Sequence, residues 1–291
     1  MDYAAVRFSR DLRFVITGGE PLLWPHLGGL GRRIRDAGRA RGMATNGFLL
    51  DDEVLDDLLA GLSSLTVSLD GDEAAHNRLR NDGESYGRAL AAISRAARSS
   101  LPMVDVVTCV SPAVLELLPS IAETLLDRGI RRWRLFRIFP RGRAAGRPEL
   151  LLDREASWRL VEWIRDNRRR YGKEGLTVDL SCEGWLPFGL DRRVRTEPFF
   201  CRSGVSIASV LCDGSVTGCP NNAPGFLAGN VLSDDLRRLW DGGFGKLRDR
   251  SWMRRGPCVA SFPPMPRRFR APVGLGCGGG DGLPGRRADG T

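Results

Sequence analysis

Phe-Val-Ile-Thr-Gly-Gly-Glu-Pro, residues 14–21, breaks an apolar β-branched run with two glycines, an acid and a proline, and a helical pattern follows. This predicts a buried strand whose C-terminal end is shaped for a small polar ligand. Paired glycines let backbone approach a ligand closely, because no Cβ intervenes. Glu20 offers a carboxylate to a cation, and Pro21 fixes the chain's exit.

Outward from this stretch, strand and helix patterns alternate. Strands are expected at 12–17, 42–45, 64–69, 103–110, 132–139 and 176–180, with helices at 26–40, 51–59, 86–99, 113–127 and 154–170. Such alternation means βα units on a parallel sheet, with ligands beyond the C-terminal strand ends. Small and polar residues gather at those ends: Gly18-Gly19-Glu20, Thr45-Asn46-Gly47, Ser68-Leu69-Asp70-Gly71 and Thr108-Cys109. Each alone is ordinary turn chemistry; several on one rim argue for a shared site.

After about Leu180 the composition shifts to Cys, Gly, Pro and aromatics. Short strands at 205–211 and 215–217 flank Cys212-Asp213-Gly214, where Asp-Gly signals a hairpin. Helices are expected at 234–241, capped by Ser233, and at 244–250. From about Pro263 the chain turns Pro/Arg/Gly-rich and reads as a disordered tail.

The chain has 291 residues, 42% hydrophobic and 27% charged, and no apolar run of membrane-spanning length. No secretory start is evident, so a cytoplasmic protein is expected. The net charge is +9, but the only lysines are Lys173 and Lys246, and the arginines are dispersed through helices. Dispersed charge without interleaved aromatics argues against nucleic-acid binding. The denser segments 128–143 and 165–170 keep an acidic partner in play.

Five of the seven cysteines fall in Cys182–Cys258. An Asp-Gly hairpin brings Cys201 and Cys219 near each other, and Cys182 and Cys258 complete a four-thiolate set for a 4Fe–4S cluster or zinc. Small buried cysteines are the plainer alternative. His26 and His76, the only histidines, are expected in capping or surface roles. No Walker loop, nucleophile elbow or Gly-x-Gly-x-x-Gly turn is present, which leaves hydrolase, kinase and nicotinamide chemistry without residues.

This combination resembles the radical S-adenosylmethionine (SAM) superfamily, in its SPASM branch. The resemblance rests on Thr17–Leu22, Thr45-Asn46-Gly47, Val67–Gly71 with His76–Arg80, Phe199–Gly204, Cys212–Val216, Cys219-Pro220-Asn221, Gly229-Asn230, Trp240 and Gly256-Pro257-Cys258. The wording around Cys182 and Cys201 is similar to a subgroup linked to a lipoprotein system. The resemblance implies a partial (βα)6 TIM-like barrel at 1–180, a small Cys-containing SPASM-like α+β module at 181–262 and an aberrant tail at 263–291. It also implies reductive cleavage of SAM to a 5′-deoxyadenosyl radical, which abstracts hydrogen from a peptide or small protein substrate, with an electron donor such as flavodoxin. By position Gly18, Gly19, Glu20 and Pro21 would hold the methionyl amino end of SAM, with Asn46 and Asp70 on the same rim. Ser68 would lie near the ribose and Arg80 near the carboxylate. Cys182, Cys201, Cys219 and Cys258 would carry an auxiliary 4Fe–4S cluster.

Two features depart from the pattern. The superfamily's radical cluster hangs on Cys-x3-Cys-x2-Cys after a first barrel strand, whereas no cysteine precedes Cys109. The barrel is therefore expected to lack its first strand, with a sheet edge uncovered, and the chain to be catalytically incompetent. Where a further Cys-x2-Cys would end the module stand Cys258 and Ser261, and a one-base shift at Met265-Pro266 would create a cysteine. A non-catalytic relative that binds a peptide or partner and keeps one auxiliary metal site is the alternative.

Overall fold

The computed structural model describes residues 11–249, apart from 60, 183, 185, 187 and 223. The expectations for Cys258, Ser261 and the tail lie outside the described residues. Strands β1 (Arg13–Ile16), β2 (Ala40–Thr45), β3 (Leu62–Ser68), β4 (Val104–Val110), β5 (Arg132–Arg137) and β6 (Thr177–Leu180) form one sheet in sequence order. Every pairing in it is parallel. Between the strands run α1 (Leu27–Asp36), α2 (Asp52–Leu59), α3 (Glu73–Arg80), α4 (Ser85–Arg98), α5 (Pro112–Leu115), α6 (Leu118–Asp127) and α7 (Arg154–Lys173). This is the expected α/β architecture, a six-stranded parallel wall of the partial-barrel type.

Alternation along the strands separates two faces. Met43, Leu65, Val67, Val106, Trp133, Leu135, Val178 and Leu180 are buried against Leu55 and Leu58 of α2, Ala89, Ala92 and Ile93 of α4, Leu118 and Leu125 of α6, and Trp158 and Ile164 of α7. Each fully buried aliphatic side chain contributes about 1.5–3 kcal/mol, so this helix-covered face holds the sheet in shape. The Trp133 indole N–H donates to Thr108 Oγ1 at 2.8 Å, so its one polar atom is satisfied inside the core. The other face carries Gly42, Ser64, Thr66, Ser68, Asp105 and Arg134 at the alternate positions, and its apolar members Val15, Val107 and Phe136 do not join the buried cluster. Val15, on this face of β1, is 63% exposed.

Several boundaries differ from expectation for local reasons. The helix expected at 113–127 is two, because Pro119 in the first turn of α6 has no N–H to continue α5. The helix expected from 26 to 40 stops at Asp36, and Ala40 already pairs in β2. Two helices were not anticipated: α3, whose N-cap Asp72 accepts from Ala75 N–H at 2.9 Å, and α8 (Phe188–Val194). Both are short and polar, so their apolar periodicity is weak.

Beyond β6, β7 (Ser209–Val210), β8 (Ser215–Thr217) and β9 (Leu227–Asn230) form an antiparallel sheet with α9 (Leu236–Gly242) and α10 (Gly245–Arg248). Strand β7 is shorter than expected because residues 202–207 turn back on the Arg202 carbonyl, which accepts from the N–H groups of Val205, Ser206 and Ile207. The cap of α9 is Asp235, accepting from Arg238 N–H at 3.0 Å, rather than Ser233. Val216, Leu239, Phe244 and Leu247 make a small separate core. Arg248 binds it together, donating to the carbonyls of Gly204, Asp241 and Trp240 and lying over the Trp240 ring at 5.2 Å. Among the described residues no helix is long and apolar enough to cross a membrane.

Candidate functional site

The C-terminal ends of β1 to β4 are tied into one rim by side chains. Glu20 follows β1. Its Oε1 accepts from Leu22 N–H at 3.1 Å and from the Thr45 hydroxyl at 2.7 Å, and its Oε2 accepts from Asn46 N–H at 2.7 Å. It therefore links the β1 and β2 ends. Three accepted bonds leave Oε2 with a free lone pair for another donor. Thr45 in turn accepts from Gly47 N–H at 3.0 Å, and Asn46 Oδ1 caps Phe48 N–H at 2.8 Å. Gly47 has φ +80° and must remain glycine, since a Cβ would meet Ala92 Cβ at 2.9 Å.

Gly18 has φ +126°, a conformation that other residues rarely adopt, and a Cβ at Gly18 or at Gly19 would meet nothing within 4 Å. The two glycines thus border open space beside the Glu20 carboxylate. Pro21 is buried at the start of the following turn.

Asp70 organises the β3 end. It is 1% exposed, and Oδ2 receives both Nε, at 2.9 Å, and Nη2 of Arg80, while Oδ1 accepts from Cys109 N–H at 2.7 Å on β4. Asp70 N–H donates to His76 Nδ1 at 2.9 Å. The proton of His76 accordingly sits on Nε2, 3.2 Å from Ser85 Oγ. His76 is fully buried, which corrects the surface role expected for it. Burial pushes its pKa down, with Asp70 opposing and Arg80 adding to the shift. The sequence showed this histidine; its burial follows from α3, which was not anticipated. Ser68, half-buried, ends β3 two residues before Asp70.

Chemically the rim offers an open glycine-lined recess, a carboxylate with spare accepting capacity, and Arg80, whose Nη1 is free of Asp70. That set fits an amino acid end carrying both an ammonium and a carboxylate, which SAM has. No cysteine lies among residues 1–108, so the segments that precede Cys109 offer the rim no thiolate, and the residues present do not fit a thiolate-held iron–sulfur cluster there.

The cysteines lie elsewhere. Cys201 and Cys219 flank a place where two segments touch: a Cβ on Gly218 would meet Ser203 Oγ at 2.3 Å and Gly204 N at 2.8 Å. Asn222 reinforces that contact by donating to Ser203 Oγ at 3.3 Å. Cys182 and Cys212 are exposed, while Cys201 and Cys219 are half-buried. Among the described residues no three Cys, His, Asp or Glu side chains converge as a metal-binding group, and Cys258, the fourth expected ligand, lies outside them. Sequence reading missed Arg195, which is buried, pairs with Asp191 and donates to the carbonyls of Leu180, Ser181 and Gly184. It fixes the backbone on both sides of Cys182.

Much of the arginine density at 165–170 is satisfied internally. Arg165 pairs with Asp166 and Glu162, Arg168 with Asp179, and Arg170 with Glu174. Arg165, Asp166, Arg168, Arg169 and Arg193 line a concavity of about 610 Å³ beside Thr177, where β6 begins. It lies at the opposite end of the strand from the rim.

Residues 3–125 match the model of the Radical SAM superfamily. The AdoMet-dependent heme synthase of Methanosarcina barkeri (strain Fusaro) is 28% identical over 257 residues, covering 81% of this chain and 70% of that protein. The Fe-coproporphyrin III synthase of the same organism is 27% identical over 221 residues, covering 69% of this chain and 55% of that protein. In fold the chain is similar to SuiB of Streptococcus suis, with a TM-score of 0.65 at 16% identity, over 85% of this chain and 59% of SuiB. SuiB structures include complexes with S-adenosylmethionine and with the precursor peptide SuiA. The chain thus spans less than two thirds of the Fe-coproporphyrin III synthase and of SuiB.

Proposed function

We propose that the Radical SAM domain at residues 3–125 binds SAM at the rim built from Gly18, Gly19, Glu20, Asn46, Ser68, Asp70 and Arg80, in a protein of radical SAM chemistry acting on a carboxylate-bearing tetrapyrrole. The observation that carries the SAM assignment is the pairing of open space at Gly18-Gly19 with a Glu20 carboxylate that keeps one lone pair unused. Glu20 receives the methionyl ammonium through the lone pair that Leu22, Thr45 and Asn46 leave unused. Arg80, held in place by Asp70, presents Nη1 to the methionyl carboxylate as a charge-assisted donor. Ser68 stands below them for the ribose hydroxyls.

The tetrapyrrole assignment rests on the haem-forming relatives, which share more sequence with this chain than the peptide-modifying structures do. A peptide substrate is the second reading, favoured by the fold shared with SuiB and by the exposed Val15, Leu23 and Trp24 beside the rim. The residues after 180 form a SPASM-like module whose Cys201 and Cys219, with Cys182 and Cys258, hold an auxiliary 4Fe–4S cluster. An acidic electron donor such as flavodoxin would serve it.

Anaerobic purification with iron and sulfide counting, combined with SAM titration, tests this. About four irons per chain are expected from a single 4Fe–4S cluster, lost in Cys201→Ser and Cys219→Ser but retained in Cys212→Ser, with saturable SAM binding. Neither iron nor SAM binding would refute it, and zinc at the same thiolates would favour the non-catalytic alternative.

A further inference from the structure

The strand register aligns Ser68 of β3, Val107 of β4, Arg134 of β5 and Asp179 of β6 in one row across the polar face of the sheet. With neighbouring strands about 4.8 Å apart, the Arg134 backbone lies roughly 10 Å from that of Ser68. The row sits two residues below Cys109 and Phe136, which pair at the rim. Arg134 is therefore within a substrate's length of the SAM site, on the face that no apolar core occupies.

Its side chain is fixed along one edge. Nε pairs with Asp105 Oδ2, and Nη2 donates to Thr66 Oγ1 at 3.2 Å. The Thr66 hydroxyl donates to Asp105 Oδ1 at 2.6 Å, closing the triangle. The guanidinium also lies over the Phe136 ring at 5.9 Å. Nη1, on the other edge, has no protein partner among the described residues. Asp105 is 5% exposed and Arg134 37%, so the pair's carboxylate is enclosed while its guanidinium opens outward. Asp179, next in the row, does not compete, because it accepts from Arg168, from Thr196 N–H and from the Thr196 hydroxyl. A guanidinium already held in one orientation loses little further side-chain entropy on binding an anion, and its planar fork matches a carboxylate.

We infer that Arg134 is a substrate-positioning residue that holds a propionate carboxylate of the tetrapyrrole and so sets which carbon faces the SAM rim. This rests on the tetrapyrrole reading proposed above and adds to it the residue that reads the acid group.

The test titrates Fe-coproporphyrin III and its fully methyl-esterified form into the whole chain, following the Soret absorbance, with SAM titrated separately. Wild type should bind the free acid at least about tenfold more tightly than the ester, a difference of about 1.4 kcal/mol. Arg134→Gln should abolish that preference, Arg134→Lys should restore part of it, and SAM affinity should hold in both. An undiminished preference for the acid in Arg134→Gln overturns the inference, as does the absence of any preference in wild type, which needs no variant to fold. Loss of SAM binding in wild type with the acid preference intact would instead refute the SAM assignment and leave Arg134's role standing.

Discussion

Glu20→Gln separates the structural work of this carboxylate from its work on a ligand. In the wild type three donors converge on the two oxygens, from Leu22, Thr45 and Asn46. Glutamine keeps one oxygen. If that oxygen serves Leu22 and Thr45, the amide NH2 faces Asn46 N–H, donor against donor. One charge-assisted bond is lost, an effect of about 1.5–3 kcal/mol in general. Because Glu20 is half-buried rather than enclosed, the lower part of that range applies, about 1.5–2 kcal/mol. With a urea m-value near 3 kcal/mol/M for a domain of this size, the midpoint should fall by roughly 0.5–0.7 M at unchanged m. The ligand effect comes on top. Losing the charge opposite the methionyl ammonium should weaken SAM binding by about 10- to 100-fold, measured by calorimetry under conditions where the variant is folded. Methylthioadenosine, which lacks the amino acid end, should bind wild type and Glu20→Gln alike. Equal losses for both ligands would place the defect in general disorder of the rim. No loss for SAM would refute the assignment of Glu20, and an unmoved urea midpoint would refute its role as the tie between β1 and β2.

Other substitutions probe the rest of the rim. Asp70→Asn should destabilise the fold by about 2–3 kcal/mol in urea titration, less than for a fully enclosed pair because Arg80 is 29% exposed; it should also weaken SAM binding by unfixing Arg80. Gly19→Ala should leave the urea midpoint within about 0.5 kcal/mol of wild type, because its Cβ meets nothing, yet lower SAM affinity by filling the recess; Gly18→Ala, at φ +126°, should in addition lose about 1–3 kcal/mol to backbone strain. His76 is held neutral by burial, so the unfolded state binds the extra proton. Its contribution to stability is complete above about pH 6.5 and is lost as the pH falls from there towards its lowered folded value, with a slope of up to about 1.4 kcal/mol per pH unit. His76→Asn should flatten the pH dependence of the urea midpoint between pH 6.5 and 5.5.

The parallel sheet was legible because its strands read as β-branched runs punctuated by glycine and helix, a pattern fixed by the covered face of Met43, Leu65, Val106 and Leu135. Gly18, Gly19 and Glu20 stood out for a different reason, as two glycines and an acid closing a strand, but the three donors that converge on Glu20 were not visible. What sequence did not reveal was how the strand ends are joined. Nothing near Asp70 in sequence indicates that its carboxylate caps Cys109 of the next strand, because that contact depends on register across 39 residues. The Asp105–Arg134–Thr66 triangle was equally invisible, each member lying on a different strand. Arg195 looked like one arginine among many, and only its burial against the turn after β6 distinguishes it. Helix α3 escaped because its eight residues present little apolar face.

Hydrogen–deuterium exchange of the full chain with and without saturating SAM tests the central claim most directly. If the rim binds SAM, protection should appear in peptides covering Thr17–Leu22, Thr45–Phe48 and Ser68–Arg80, while the β7–β9 sheet and the concavity beside Thr177 stay unchanged. Protection confined to those other regions, or none at the rim, would contradict it.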